Sequence, residues 1–353
     1  MKDLNPYFLL LDQLYKKAPV LNLTEKDKVV IVSDLHMGDG RSHDDFARNS
    51  RIFTTALKNF YFPGGYTLIL NGDVEEALKF KISRINKRWE EIYTLFREFD
   101  DNGRLYKLTG NHDPKLLLAG SKYHFKLYDA LRIRFEDNEF FIYHGHQSSF
   151  YYDVFEDLMS FILRYGANIF HIPNFTVAYN SKKRSHVEKM AYNFAKGKKI
   201  ISIIGHTHRP LFESLSKMDT MKFRMEYYLR KLQDADSAER KKIEEKIKIC
   251  SEKIKIHDKE NKKEHTVNTL YSDRIVLPFV FNSGTVIGKR GMTSLEISGG
   301  IISLVHWFDS TTKKKYLNKD KEYYQKLTGT DITRFILKHD SLNYIFNKIQ
   351  LLS

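Results

Sequence analysis

Two histidines one residue apart, His206 and His208 in "ISIIGHTHRP", follow directly on an apolar run. The arrangement recurs along the chain: "VVIVSDLH" ends in Asp34 and His36, "YTLILNGDVEE" carries Asp73, "RLYKLTGNHD" carries Asn111, and "FFIYHGHQ" carries His144. One histidine at a strand end is usually an ordinary core or surface residue. Carboxylate, amide-oxygen and imidazole donors at equivalent ends of several apolar runs are a different matter, because together they could converge on metal ions. Side chains alternate along an extended chain, so the i, i+2 spacing predicts that Asp34 and His36 share a face, as do His206 and His208. A donor set without thiolate suits Mn2+, Fe2+ or Zn2+, with Mn2+ first, better than a cysteine-based structural zinc site. Two such ions about 3.5–4 Å apart would clamp a phosphate and lower the pKa of a bridging water, which is the chemistry of phosphoester hydrolysis.

Elements must hold these donors in place. The Val-, Ile- and Leu-rich runs read as buried strands feeding functional loops. Between the second and third, Trp89, Ile92, Tyr93, Phe96 and Phe99 recur at helical spacing. Strands alternating with helices give an α/β class, although later pieces, including a hairpin turning at Gly299 and Gly300 in "TSLEISGGIISLVHWF", look antiparallel. Residues 150–196 read as two helical patterns, a helical cap segment that either completes the core or closes over a site. Residues 216–263 are dense in alternating charges, with Ile243, Ile247, Cys250 and Ile254 at intervals of three or four. That pattern predicts an inserted antiparallel helical hairpin turning near Asp234–Ser237, either a solvated arm or a surface for a partner or for oligomerisation. The expected organisation is one domain over residues 1–309 followed by a lysine-rich helical tail over 310–353.

Composition narrows the classes. The 353 residues are 42% hydrophobic, which excludes wholesale disorder. No run approaches the about 18–20 apolar residues of a membrane span, the start lacks a secretory pattern, and the single Cys250 cannot form an internal disulfide. A cytoplasmic protein is expected, either free or peripheral to the inner face of the membrane. Lys and Arg outnumber Asp and Glu by 58 to 44, for a net charge of +14. That excess suits phosphorylated substrates, anionic membrane or nucleic acid. The last ranks lower because no aromatic-studded basic groove or recognisable nucleic-acid module is present.

The ordered motifs "DLH", "GD", "GNHD", "HGH" and "GHTH" resemble those of the calcineurin-like metallophosphoesterases, over roughly residues 28–309 apart from the insertions. The resemblance implies a four-layer α/β/β/α sandwich with the site at its strand ends. It implies that Asp34, His36 and His208 hold one divalent ion, that Asp73 bridges, and that Asn111, His144 and His206 hold the other. His112 would contact the scissile phosphate and protonate the leaving oxygen. Asp113 is placed to orient His112, or else serves a simple turn or helix cap before Pro114. Glu75 and Glu76 stand where aspartate is commoner, leaving a contact behind the ligands or a solvated helix start as their roles.

"GHTHRP" and the helical segment before it are similar to the UDP-2,3-diacylglucosamine hydrolases of lipid A synthesis, which points to a nucleotide-linked lipid diphosphate as the leading substrate. The chain departs from those enzymes in having His112 for arginine, His146 for aspartate, and the 216–263 segment. A protein or small-molecule phosphomonoester is the alternative substrate. A nuclease or nucleic-acid-binding protein and a non-catalytic scaffold are the other classes.

Overall fold

Along Lys28–Val32 the side chains alternate between two apolar clusters, Val29 and Ile31 in one and Val30 and Val32 in the other. A strand covered on both faces reads as a continuous apolar run rather than an alternating one. A computed structural model of the chain describes residues 6–113, 116, 124–148, 181–216, 225, 228–229, 232, 237–260, 277–311 and 323–353.

The strands are β1 (Val20–Leu23), β2 (Lys28–Val32), β3 (Thr67–Asn71), β4 (Leu105–Leu108), β5 (Leu127–Tyr128), β6 (Ala130–Phe135), β7 (Asn138–Tyr143) and β8 (Ile201–Ile204). They continue as β9 (Leu211–Phe212), β10 (Leu215–Ser216), β11 (Val280–Asn282), β12 (Met292–Ser298), β13 (Ile301–Asp309), β14 (Tyr324–Lys326) and β15 (Ile332–Ser341). The α-helices are α1 (Pro6–Lys17), α2 (Ser50–Ala56), α3 (Ile82–Arg88), α4 (Glu90–Asp101), α5 (Ser181–Lys198), α6 (Ser237–Glu260) and α7 (Leu342–Leu352).

One sheet runs β1-β6-β7-β8-β11-β9-β10 and the other β14-β15-β13-β12-β2-β3-β4-β5. In the second, β2 to β5 are parallel while β12, β13, β15 and β14 pair antiparallel. Leu11 of α1 and Val187, Ala191 and Phe194 of α5 cover the first sheet, and α2 and α4 cover the second. The result is the expected α/β/β/α order of layers. On α4, Ile92, Tyr93, Phe96 and Phe99 are all buried, as their helical spacing predicted. Among the described residues, no helix is long and apolar enough to cross a membrane.

Three regions bear on the predicted organisation. The tail expected to be helical over 310–353 is instead strand over Ile332–Ser341, paired with β13 along its length, and among its described residues the α-helix is confined to Leu342–Leu352. An open edge on β13 accepts a β-branched and aromatic segment whose apolar residues also fit a helical period, so tertiary pairing decides the outcome. Of the 150–196 segment, residues 150–180 lie outside the described residues. The remainder, α5, packs its buried face into the core beside β8 and β11 rather than standing off as a cap.

Of the 216–263 segment, α6 is described, with Ile243 and Cys250 buried and the Lys246 ammonium 5.6 Å from the ring centre of Tyr228. The expected turn near Asp234–Ser237 lies outside the described residues except for Ser237. The chain leaves the first sheet at β10 and re-enters at β11, and β9 pairs with both.

Behind the strand ends, Lys107 of β4 and Glu75 form a wholly buried ion pair at 2.6 Å, and Tyr93 of α4 donates to the same carboxylate at 2.8 Å. This pair ties the loop carrying Asp73 to the neighbouring strand and helix. Removing one partner of such a pair leaves a buried charge uncompensated. Lys107→Met is therefore expected to lower the unfolding free energy by about 3–5 kcal/mol, with part of the loss recovered in the Lys107→Met/Glu75→Gln double variant. Urea titrations of both variants check this, and an equal loss in both would show that packing rather than charge is at stake.

Candidate metal centre

β2 ends at Val32 and β8 at Ile204, so the paired donors lie beyond the strands rather than on them. Asp34 (φ 55°), His36 (48°), Asp73 (51°), His206 (61°) and His208 (54°) all adopt the left-handed region. Non-glycine residues avoid this region at a cost of about 1–3 kcal/mol each. The i, i+2 convergence therefore arises from left-handed turns, and the expectation of an extended face is corrected. What holds the turns is a ladder between two loops. Asp34 N donates to Gly72 O at 3.1 Å, His36 N to Asp73 O at 2.9 Å, Met37 N to Val74 O at 2.9 Å, and Glu76 N to Met37 O at 3.0 Å. Gly110 has no alternative here, because a Cβ on it would overlap the Asp73 carboxylate and backbone.

Six of the seven predicted donors fall into two groups. Asp34, His36 and His208 place one donor atom each within 4.8 Å of one another, and so do Asp73, His144 and His206. Within the first group His208 Nε2 is 3.1 Å from Asp34 Oδ1 and 3.2 Å from His36 Nε2. Within the second, His144 Nε2 is 3.1 Å from Asp73 Oδ2. The groups adjoin, since Asp73 Oδ2 is also 3.9 Å from His36 Nε2 and Asp34 Oδ1 is 3.9 Å from His144 Nε2. Asn111 is carried to the same place by its neighbour His112, whose N–H donates to Asp73 Oδ1 at 2.7 Å.

Several donors are aimed from behind. His144 Nδ1 donates to Asn71 O at 2.8 Å, which turns Nε2 inward, and His206 N donates to Asp34 Oδ2 at 3.1 Å. Asn282, at the end of β11, holds Gly205 O and Thr207 Oγ1, both at 2.9 Å. Its position was legible as an asparagine closing an apolar run before a small residue, the pattern also seen at Asn71.

Asn111 Oδ1 and His206 Nε2 are buried without a hydrogen-bond partner, and Asp34 Oδ1 and His144 Nε2 are buried with no hydrogen bond beyond the ion-pair contacts to His208 and Asp73. Each such atom costs about 1–3 kcal/mol if left unsatisfied, and a divalent cation among them would satisfy all four. The residues present therefore fit a metal.

The electrostatics agree. Burial alone would lift the Asp34 pKa, yet His208 and His144 hold it down to about 2. Burial would lower His144, but Asp73 and Asp34 raise it to about 10. His206 is pushed down to about 3 by burial and then by His144. The two buried carboxylates thus draw positive charge onto His144, while burial and the charge of His144 keep His206 neutral against their pull.

His112 is oriented by Glu76 and not by Asp113. His112 Nδ1 lies 2.8 Å from Glu76 Oε1, and His36 Nδ1 lies 3.2 Å from Glu76 Oε2. Asp113 accepts from Gly110 N at 2.6 Å and Val74 N at 3.3 Å, bracing the loops instead. Burial, then Asp73, raise the Asp113 pKa to about 7. Glu76, three residues from Asp73 and left open between a buried and a solvated role, is the carboxylate that reaches both imidazoles.

A family model described as calcineurin-like phosphoesterase matches residues 27–214, more than half of the chain. The chain belongs to the calcineurin-like phosphoesterase family. A metal-dependent hydrolase of phosphoester bonds follows, and the clusters described above are its candidate ligands. No curated protein matches the chain significantly.

Solved structures that resemble it include a predicted phosphoesterase from Streptococcus pneumoniae (10% identity, TM-score 0.28, covering 88% of this chain and 97% of that one). Others are a vacuolar protein sorting 29 single mutant from Entamoeba histolytica (10%, 0.33, covering 88% and 99%) and vacuolar protein sorting 29 from Cryptosporidium parvum (10%, 0.34, covering 89% and 98%).

In a calcineurin-like phosphoesterase that fills these donors with metal, binding must stabilise the fold. Mn2+ at a hundred times its dissociation constant is expected to add about 2.7 kcal/mol to the unfolding free energy, and much less in Asp73→Asn. Denaturant titrations with and without Mn2+ check this. An equal gain in both proteins would place the metal elsewhere.

Proposed function

We propose that the protein hydrolyses a phosphate ester or diphosphate with two divalent metal ions, Mn2+ first, held in adjoining groups. Asp34, His36 and His208 would hold one, Asn111, His144 and His206 the other, with Asp73 shared. The observation that carries this reading is the pair of adjoining donor groups lined by buried atoms that lack hydrogen-bond partners. When bound, such ions supply Lewis-acid charge on the phosphate and a nucleophile at neutral pH. The chain's own residues do the rest. The ladder between the two loops holds Asp34, His36 and Asp73 in register, and Asn71 turns His144 inward.

His112 is the proton donor to the leaving oxygen. Its Nδ1 is engaged by Glu76, which leaves Nε2 for the substrate and favours the charged ring needed before transfer. Glu76 is a positioning residue that acts through His112 and His36. Asp113 acts one step further back, on the Gly110 and Val74 amides.

For the substrate, a nucleotide-linked lipid diphosphate is the leading class. Arg209 beside His208 is held by Glu188 of α5, with its Nε 3.1 Å from the carboxylate, and Arg184 lies on the same helix. Burial and the charge of Arg209 lower the Arg184 pKa, so two guanidinium groups, with the one Glu188 carboxylate between their charges, adjoin the segment carrying His208. That charge suits a second phosphate.

His112→Ala is expected to lower kcat/KM by about 10²–10⁴-fold, with the larger loss for alkyl phosphates, whose leaving oxygen needs a proton, than for nitrophenyl phosphates. Equal losses across leaving groups would remove His112 as the acid. Turnover of UDP-diacylglucosamine in preference to mono- and bis-aryl phosphates supports the lipid diphosphate; turnover of the aryl esters alone leaves the phosphomonoester or diester reading.

A further inference from the structure

A groove of about 490 Å3, whose lining includes none of the metal donors, opens between α2 with its following turn and the start of α4. Its size falls within the range of small-molecule sites. Its walls mix polar and apolar groups, with Trp89, Ile92 and the carboxylate of Glu91 among them. Thr54 and Lys58 project from one side at helical spacing, with Ser50 and Asn59 beside them, and Arg88 stands on the other.

Arg88 is held in place. Its guanidinium lies 4.4 Å from the ring centre of Trp89 and against the backbone of Gly40, in the space a side chain there would need. Trp89 is itself fixed, its Nε1 donating to Gly38 O at 2.9 Å and to Asp44 Oδ2 at 3.2 Å. Among the described residues no carboxylate pairs with Arg88 or Lys58, whereas Arg51 at the rim is bound to Asp309 at 2.6 Å.

A cation clamped in one position and a lysine facing it across a hydroxyl-lined groove recognise a phosphate joined to a polyol. A nucleobase finds no platform, because the accessible face of Trp89 is covered by Arg88. We propose that this groove binds a phosphorylated sugar or similar polyol phosphate, at a site separate from the metal centre.

The test is calorimetric titration of the full-length, Mn2+-loaded protein with the non-hydrolysable phosphonate analogue of glucose 6-phosphate. The expected result is a binding event that Arg88→Met and Lys58→Met each weaken by at least about tenfold, that Asp73→Asn leaves in place, and that glucose does not reproduce. Both substituted side chains are exposed and on different elements, so loss in both is not a shared folding defect. No binding, binding unchanged in both variants, or binding abolished only by Asp73→Asn would overturn the proposal. Failure of the metal-centre reading would appear separately, in the Asp73→Asn activity.

Discussion

Asp34 and Asp73 are carboxylates buried almost completely, and the groups facing them are imidazoles rather than lysines or arginines. Two negative charges out of water demand either protons on the imidazoles or an added cation. Everything around the site follows from meeting that demand in a fixed geometry. Protons alone meet it unevenly, since the carboxylates raise His144 while burial, and then the charge of His144, lower His206. A divalent ion replaces that compromise with direct ligation.

Fixing the geometry requires a rigid platform and tolerance of strain. Two sheets packed face to face, each covered by helices, bring β2, β3, β7, β8 and their loops to one edge. Left-handed turns at five non-glycine residues then aim the side chains together. Such turns persist only where the surroundings over-determine them. The backbone ladder between residues 34–37 and 72–76 does this, anchored underneath by the Glu75–Lys107 pair.

Much of this was legible in the sequence because donors at the ends of apolar runs carry their own context. The seven residues, the layered α/β/β/α class, the α4 stripe and the hairpin at Gly299–Gly300 all follow from local pattern or ordered motifs. The illegible parts depended on contacts between distant residues. Asp113 adjoins His112 in sequence, but its carboxylate turns to the Gly110 and Val74 amides, and Glu76 reaches the ring from another loop. Alternation along an extended strand predicted a shared face at 34/36 and 206/208, but the strands stop before these residues, and left-handed turns put His206 and His208 in different groups. Ile332–Ser341 reads equally well in either period, and only the free edge of β13 makes it a strand.

The most direct test of the metal-centre account is a crystal structure of the Mn2+-loaded protein with anomalous scattering measured at the manganese edge. The account predicts two peaks, one among Asp34, His36 and His208 and one among Asn111, His144 and His206, both within ligand distance of Asp73. A single peak, or peaks away from these atoms, would contradict it.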